Sequence, residues 1–165
     1  VGSGSTGATN VKRVMGKKWF FTVMLLDALK GALPVALSAY FATALQDYGV
    51  LPVLAAICVI LGHSKSVFLN FTGGKSVASG VGTLMALNWQ AGLIIAAVWG
   101  VVTWVSKYVS LGSIVALGLS PIIMWLLNAP VAYIVYALIA AIYVIWLHRE
   151  NIKRLKEGVE NKVRD

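Results

Sequence analysis

Six apolar stretches fill most of this chain: Trp19–Leu45, Val50–Leu61, Ser76–Leu87, Ala91–Val105, Leu111–Leu127 and Val131–Leu147. Only 12% of the residues are charged and 59% are hydrophobic, where a soluble domain carries about 25% charge. A water-facing surface cannot be assembled from so few charges. The 165 residues therefore read as a single domain, 1–165, of the all-α class: a polytopic membrane helical bundle. A bilayer crossing takes about 20 residues, or roughly 17 when short. The first, fifth and sixth stretches reach or approach that length. The second does so if it runs from Val50 to Phe68, with the polar end His63–Ser66 emerging at the interface. Ser76–Leu87 amounts to about 18 Å of helix, a half-helix or a tilted span packed among its neighbours. The expectation is six membrane segments, one of them short.

The cations orient the bundle. Of 14 Lys and Arg residues, thirteen fall on one side if the spans alternate. Lys12, Arg13, Lys17 and Lys18 precede the first span, Lys65 and Lys75 separate the second and third, and Lys107 follows the fourth. Arg149, Lys153, Arg154, Lys156, Lys162 and Arg164 follow the last. The opposite turns, around Gln46–Gly49, Asn88–Gln90 and Asn128–Pro130, carry none, so the basic side is expected to be cytoplasmic. The net charge of +8 then points to anionic lipid headgroups or an anionic substrate, not to nucleic acid. Trp19, Trp89, Trp104, Trp125 and Trp146 lie near segment ends, as an interfacial belt requires. Lys30 is the exception, in mid-helix three residues after Asp27. Residues so spaced share a face, and the two are expected to neutralise each other toward the interior. Such a pair is either structural, beside Gly31 and Pro34, or functional.

The unusual polar residues gather on that same basic face. Val1–Arg13 holds three glycines, small hydroxyls and two cations. Glycines let backbone N–H groups turn toward a ligand, and such groups form a cradle for anions. Ser3, Ser5, Thr6 and Thr9 add hydroxyl donors, and Asn10, Lys12 and Arg13 extend the set. A second candidate is Gly73-Gly74-Lys75-Ser76, where free N–H groups at a helix start favour an anion and Lys75 adds a charge. Gly62–Ser66, Ser106–Ser110 and His148–Asn151 complete the decorated face, while the outer turns hold only amides, Asp47 and proline. A transporter of a phosphorylated small molecule, the alternative reading, would place polar groups at the midplane or at both ends. One bare face and one decorated face fit an enzyme at the inner leaflet better.

Several familiar chemistries are excluded. Gly2, Gly4 and Gly7 match Gly-x-Gly-x-x-Gly and Asp27 lies twenty residues beyond, but the dinucleotide fingerprint needs a preceding strand and a βαβ unit. Gly-Lys-Ser at 74–76 lacks the P-loop's first glycine, since position 69 is Leu69. The lone Cys58 sits in an apolar run, which leaves an inert buried thiol. His63 and His148 have no companions at zinc spacing, so no metal and no cofactor are expected; each could be a base, a substrate donor or an interface residue. There is no Gly-x-Ser-x-Gly elbow and no His-x4-Asp pair, because Phe68 and Lys153 stand in the fifth place. With no obvious covalent nucleophile, catalysis would rest on orienting two substrates and stabilising charge.

Taken in order, Gly2–Arg13, Leu26-Asp27-Ala28-Leu29-Lys30-Gly31, Gly62-His63 through Val67-Phe68, Gly73-Gly74-Lys75-Ser76-Val77-Ala78, Tyr108-Val109-Ser110-Leu111 and His148-Arg149-Glu150-Asn151-Ile152 resemble one family. It is that of the bacterial acyl-phosphate:glycerol-3-phosphate acyltransferases, integral-membrane enzymes that make lysophosphatidic acid. The likeness covers nearly the whole chain. It implies seven transmembrane helices in the cytoplasmic (inner) membrane with the site on the cytoplasmic face, and a first helix that would lie before Val1. It implies acyl phosphate and glycerol 3-phosphate as substrates, membrane lipids as surroundings, and the enzyme that supplies acyl phosphate as a partner.

The resemblance also implies roles. Ser3, Ser5, Thr9 and Arg13 would belong to a phosphate-binding loop with Asn10, Lys75 would stand opposite, and Ser110, His148 and Asn151 would position glycerol 3-phosphate. Ser3, Thr9, Arg13 and Lys75 are the expected catalytic residues. Ser5, Asn10, His63, Gly73, Gly74, Ser110, His148 and Asn151 are the expected substrate-binding residues. The glycerol hydroxyl would attack the acyl phosphate directly, without an acyl-enzyme. Three positions depart from the family pattern: Ser5 stands for the usual Asn, Ser66 for a common Pro, and Ser76 for the third glycine of Gly-Gly-Lys-Gly. All three keep small polar or turn-tolerant chemistry.

Overall fold

A computed structural model describes residues 6–44 and 49–163. Nine α-helices occupy them, with no β-strand among the described residues: α1 (Ala8–Met15), α2 (Lys17–Ala44), α3 (Val50–Ser64), α4 (Val77–Leu87), α5 (Trp89–Ser106), α6 (Val109–Gly118), α7 (Ser120–Leu126), α8 (Val131–Leu147) and α9 (Arg149–Lys156). Each of the six apolar stretches is helical, within a few residues of its expected ends. In α2, α5 and the α6–α7 pair (109–126) each run is long and apolar enough to cross a bilayer, and α8 bends by 59° into α9. The third stretch is short as expected: α4 has 11 residues. The second ends at Ser64 and does not continue to Phe68; a 3-10 turn, Val67–Leu69, follows.

The fifth stretch is two helices. Pro121 has no N–H to offer the carbonyl four residues back. That carbonyl belongs to Leu117, and the Ser120 hydroxyl donates to it at 2.7 Å, so the break at Leu119 leaves no orphaned acceptor there. In lipid this matters, because no water is at hand to satisfy it.

Close approach, not hydrophobicity, drives helix pairing inside a bilayer, so small residues mark the seams. A Cβ on Gly31 of α2 would run into the Ser79 backbone carbonyl of α4, and one on Gly82 of α4 into the Ala28 carbonyl of α2. The two helices therefore cross backbone to backbone. Tyr136 and Tyr143 of α8 reach the other way. Their hydroxyls lie 2.6 Å from the Thr83 hydroxyl on α4 and 2.8 Å from the Ser64 hydroxyl on α3. The buried core gathers Val35, Ala56, Ile60, Leu84, Ile95, Met124, Tyr136 and Val144 along these seams.

The outer surface is apolar, as lipid contact demands: Leu33, Leu37, Leu54, Val101, Ile122 and Ile142 are all exposed, and Cys58, expected to be buried, is exposed as well because its position on α3 faces outward. The five tryptophans at segment ends are exposed too. Asp27 is buried and Lys30 bridges it at 2.6 Å, but the Lys30 side chain is half exposed. The pair does not face the interior together. Asp27 does, and Lys30 reaches outward along its own stem.

Gly82→Ala is expected to lower the melting temperature in detergent, at a cost of about 1–3 kcal/mol for overpacking. Gly100→Ala, where an added Cβ meets nothing within 4 Å, should be neutral or slightly stabilising through helix propensity. Equal melting temperatures for the two variants would refute the backbone seam.

Candidate active site

One cleft of about 1100 Å³ opens among α1, α2, α4, α5, α6, α9 and the tail that follows it. Its polar end is lined by Thr9, Asn10, Arg13, His63, Lys75, Ser110, His148 and Asn151. Those eight expected residues, from five separate stretches of sequence, meet in one place. Ser3 and Ser5 lie outside the described residues. Gly73 and Gly74 do not line the cleft; a Cβ on either would strike the His63 backbone or ring. Their smallness lets the chain close on His63, with the Gly74 N–H donating to the His63 carbonyl at 3.2 Å.

The expected phosphate-binding loop differs in kind. From Ala8 onward it is helix, because nothing between Gly7 and Gly16 breaks it, and Gly16 ends it with φ 92°. Thr9 and Arg13, four apart, share a face of α1. Within the described residues, Thr9 and Arg13 therefore present their side chains from a helix.

Ser76 takes the left-handed conformation, φ 57°, which favours glycine. The departure from Gly-Gly-Lys-Gly is thereby explained and compensated. The Ser76 hydroxyl donates to the Ile60 carbonyl at 2.9 Å and is fully buried. It anchors the start of α4 to α3 and takes no part in the cleft's donor set.

The polar end is wired through a residue that sequence reasoning passed over. Glu160, buried in the tail, accepts from Ser110 Oγ at 2.9 Å, Asn151 Nδ2 at 2.7 Å and Arg154 Nε at 2.7 Å. Lys75 Nζ in turn donates to Asn151 Oδ1. The amide of Asn151 is thus held at both ends between a cation and a carboxylate. Gly158, φ 72°, turns the chain after α9, and the Val159 N–H donates to the Arg154 carbonyl at 2.9 Å. The Val163 N–H then donates to the Lys107 carbonyl at 2.7 Å, strapping the tail across the α5–α6 connection. Gly158 was a legible stop signal; that Glu160 would find three donors was not.

Protonation follows from burial and neighbours. Burial pulls the Lys75 ammonium below its ordinary value; Arg154, Arg13 and Arg149 push the same way and Glu160 opposes them. His148 is lowered to about 4, mainly by burial, so it is neutral at pH 7. Its Nδ1 lies 2.8 Å from the Val144 carbonyl. A carbonyl only accepts, so Nδ1 carries the proton and Nε2 keeps its lone pair. Burial would raise Glu160, but the bonds from Asn151, Arg154 and Ser110 outweigh it and hold the carboxyl below its usual range. Elsewhere in the cleft His63 Nδ1 lies 3.7 Å from Asp27 Oδ1.

Beyond the polar end the lining turns apolar: Phe20, Met24 and Leu25 of α2, Val81 and Met85 of α4, Ala96 and Trp99 of α5. Val81 and Met85 lie about 6 and 12 Å along α4 from Val77 by helix rise. A cationic mouth therefore leads into an apolar trough in the body of the bundle.

The fold is that of a multi-pass integral membrane protein, with a cleft that is cationic at one end and apolar at the other. The family model described as glycerol-3-phosphate acyltransferase matches residues 1–158. A glycerol-3-phosphate acyltransferase of Nostoc sp. is 46% identical over 99% of this chain and 78% of its own length. One from Gloeobacter violaceus is 45% identical over 99% of this chain and 80% of its own length. The crystal structure of PlsY, an integral membrane glycerol 3-phosphate acyltransferase, in its glycerol 3-phosphate form superposes with a TM-score of 0.91 at 34% identity, over 99% of this chain and 80% of that one. The chain belongs to the glycerol-3-phosphate acyltransferase family.

Because the folded Glu160 carboxyl is held below its ordinary value, it adds stability that is present above the usual carboxylate range and lost as pH falls through the lowered value. Glu160→Ala leaves Asn151 and Ser110 donors unpaired, at a cost of about 1–3 kcal/mol. Amide exchange at 159–163 should accelerate in that variant at neutral pH. Unchanged exchange would remove Glu160 as the anchor.

Proposed function

We propose that this protein transfers a fatty acyl group from acyl phosphate to the 1-hydroxyl of glycerol 3-phosphate, releasing lysophosphatidic acid and inorganic phosphate. The observation that carries the reading is the join of cationic mouth and apolar trough in one cleft. The similar crystal structures are of PlsY in glycerol 3-phosphate and lysophosphatidic acid forms; the first molecule is an anionic head alone, and the second joins that head to an apolar tail. The basic face lies in the cytoplasm of a bacterial inner membrane by the positive-inside bias.

In this reading Arg13 and Lys75 hold the phosphoryl group of the acyl donor, with Thr9 and Asn10 on the same wall. Ser3 and Ser5 are assigned to that loop by resemblance. Ser110, His148 and Asn151 position glycerol 3-phosphate, and His148 Nε2 accepts from a glycerol hydroxyl. His63, backed by Gly73 and Gly74, forms part of the floor, and the fatty chain runs into the trough between α2, α4 and α5. The glycerol O1 attacks the acyl carbonyl carbon, the C–O bond to phosphate breaks, and phosphate leaves with the bonding pair. The hydroxyl proton passes to a phosphate oxygen. Lys75 and Arg13 offset charge on the leaving group, where electrostatic stabilisation is worth most.

Three serine hydroxyls at the cleft are poorly placed for an acyl-enzyme. Ser110 donates to Glu160, whose three hydrogen bonds make it a weak base. Ser113 donates to the Val109 carbonyl and Ser76 to that of Ile60. None is paired with a group ready to take its proton, which supports direct transfer.

Labelled glycerol 3-phosphate supplied with palmitoyl phosphate should give lysophosphatidic acid in liposomes, and palmitoyl-CoA should give none. Product from neither donor would reject the reaction. In the same assay Lys75→Ala should reduce kcat/KM at least 100-fold, or about 3 kcal/mol of barrier, the scale of removing one preorganised charge. Lys156→Ala, on the exposed end of α9, should retain activity. Equal losses in the two would displace Lys75 from the site.

A further inference from the structure

The connection from α3 to α4 does two different things at its base and at its tip. The base carries His63 and Lys75 into the cleft. The tip, Ser66–Thr72, is a closed hairpin: Ser66 and Thr72 form an antiparallel bridge. The Leu69 and Phe71 N–H groups donate to the Ser66 carbonyl at 3.1 and 2.9 Å, and the Thr72 N–H to Leu69 at 3.0 Å. The Thr72 hydroxyl adds a bond to the Leu69 carbonyl at 2.6 Å. Much of the tip's backbone polarity is thus consumed inside it.

Its side chains are another matter. Phe68 is 93% exposed, and Val67, Leu69 and Phe71 are exposed with it. Asn70 and Phe71 hold φ of 49° and 57°. For a bulky residue such as Phe71 that conformation is strained and persists only where the surroundings impose it. No charge interrupts 66–74; Lys65 and Lys75 flank it. Four solvent-exposed apolar side chains on a tight loop would be a liability in water.

Helix lengths say where this loop lies. With 15 residues, α3 rises about 22 Å, and with 11 residues α4 rises about 16 Å. A hydrocarbon core is about 30 Å thick. Both helices begin or end at the cation-free turns on the far side, so their basic-side ends stop short of the near surface. The 28 residues of α2 rise about 42 Å and pass beyond them. With their far ends at the opposite surface, helices of these lengths leave the tip short of the near surface of a bilayer.

We propose that Val67–Phe71 is a membrane-inserted lip. Its apolar side chains lie among the upper acyl segments of the inner leaflet, and Lys65 meets lipid phosphates. Internal hydrogen bonding is what lets a non-helical segment enter that layer, and an apolar tip beside a lysine matches the gradient of an interface. The lip holds the cleft's entrance in the leaflet, so a lipid-soluble molecule can arrive without crossing water. The occupant is lipid; a protein partner or a second copy is a distinct outcome.

A nitroxide placed by Phe68→Cys in a Cys58→Ala background tests this on the full chain in anionic phospholipid liposomes. Oxygen partitions into lipid and a nickel chelate into water. The ratio of oxygen to nickel accessibility at position 68 should be severalfold above that of a label at Lys156 and approach that of one at lipid-facing Leu138. A ratio equal to that at Lys156 would put the loop in water and overturn the proposal. Low accessibility to both reagents would show a protein cover and overturn it equally. If Phe68→Cys fails to fold, Val67→Cys gives the same reading. Neither result depends on which acyl donor the enzyme uses.

Discussion

One buried carboxylate holds the polar end of this protein together. Glu160 draws Ser110 from α6, Asn151 and Arg154 from α9, and through Asn151 the Lys75 ammonium before α4. Bonds to an ionised acceptor are about twice as strong as neutral ones, and in a low-dielectric setting an unmade one is costly. The acid does not cancel the site. Arg13, Arg149 and Arg154 all push the Lys75 ammonium down while Glu160 alone opposes them, so cations outnumber the acid at this end of the cleft. The carboxylate fixes the donors' directions without neutralising them all.

That order costs the rest of the chain a particular kind of packing. Lipid supplies no hydrophobic force between helices, so α2 and α4 meet through Gly31 and Gly82 at backbone distance. Asp27 of α2 lies beside His63, and Phe20 and Met24 of α2 line the same trough as Val81 and Met85 of α4. Tyr136 and Tyr143 pin the other side with hydroxyl pairs to Thr83 and Ser64. The trough exists because two helices are tight where their glycines coincide and part where larger residues intervene.

Much of this was legible. Apolar runs located the helices, the one-sided cations located the working face, and six ordered motifs brought Thr9, Arg13, Lys75, Ser110, His148 and Asn151 to one site. The rest was not legible, for physical reasons. Glycine-rich composition signals a loop, yet from Ala8 the chain is helix, so Thr9 and Arg13 stand on α1. Gly73 and Gly74 read locally as a cradle, while the structure shows them making room for His63, 10 and 11 residues back, a contact that no local pattern encodes. Lys30 shares a helix face with Asp27, yet its long stem carries the charge outward. Glu160 stayed hidden because its partners lie 50, 9 and 6 residues away and converge only once Gly158 turns the chain.

The short helices α3 and α4 reconcile two demands that otherwise conflict. A phosphate site needs cations and donors that lipid rejects, while a fatty chain needs a wall that water rejects. Full-length helices would lift Lys75 into the aqueous phase, some two or three turns from the trough. Ending α3 at Ser64 and starting α4 at Val77 lowers Lys75 and His63 to the level where apolar wall begins. The gap this leaves at the surface is filled from two directions, by the tail that carries Glu160 and by α1 with Thr9 and Arg13. In the proposed reading, a polar head and an apolar tail are held at once because the cationic mouth and the apolar trough share one cleft.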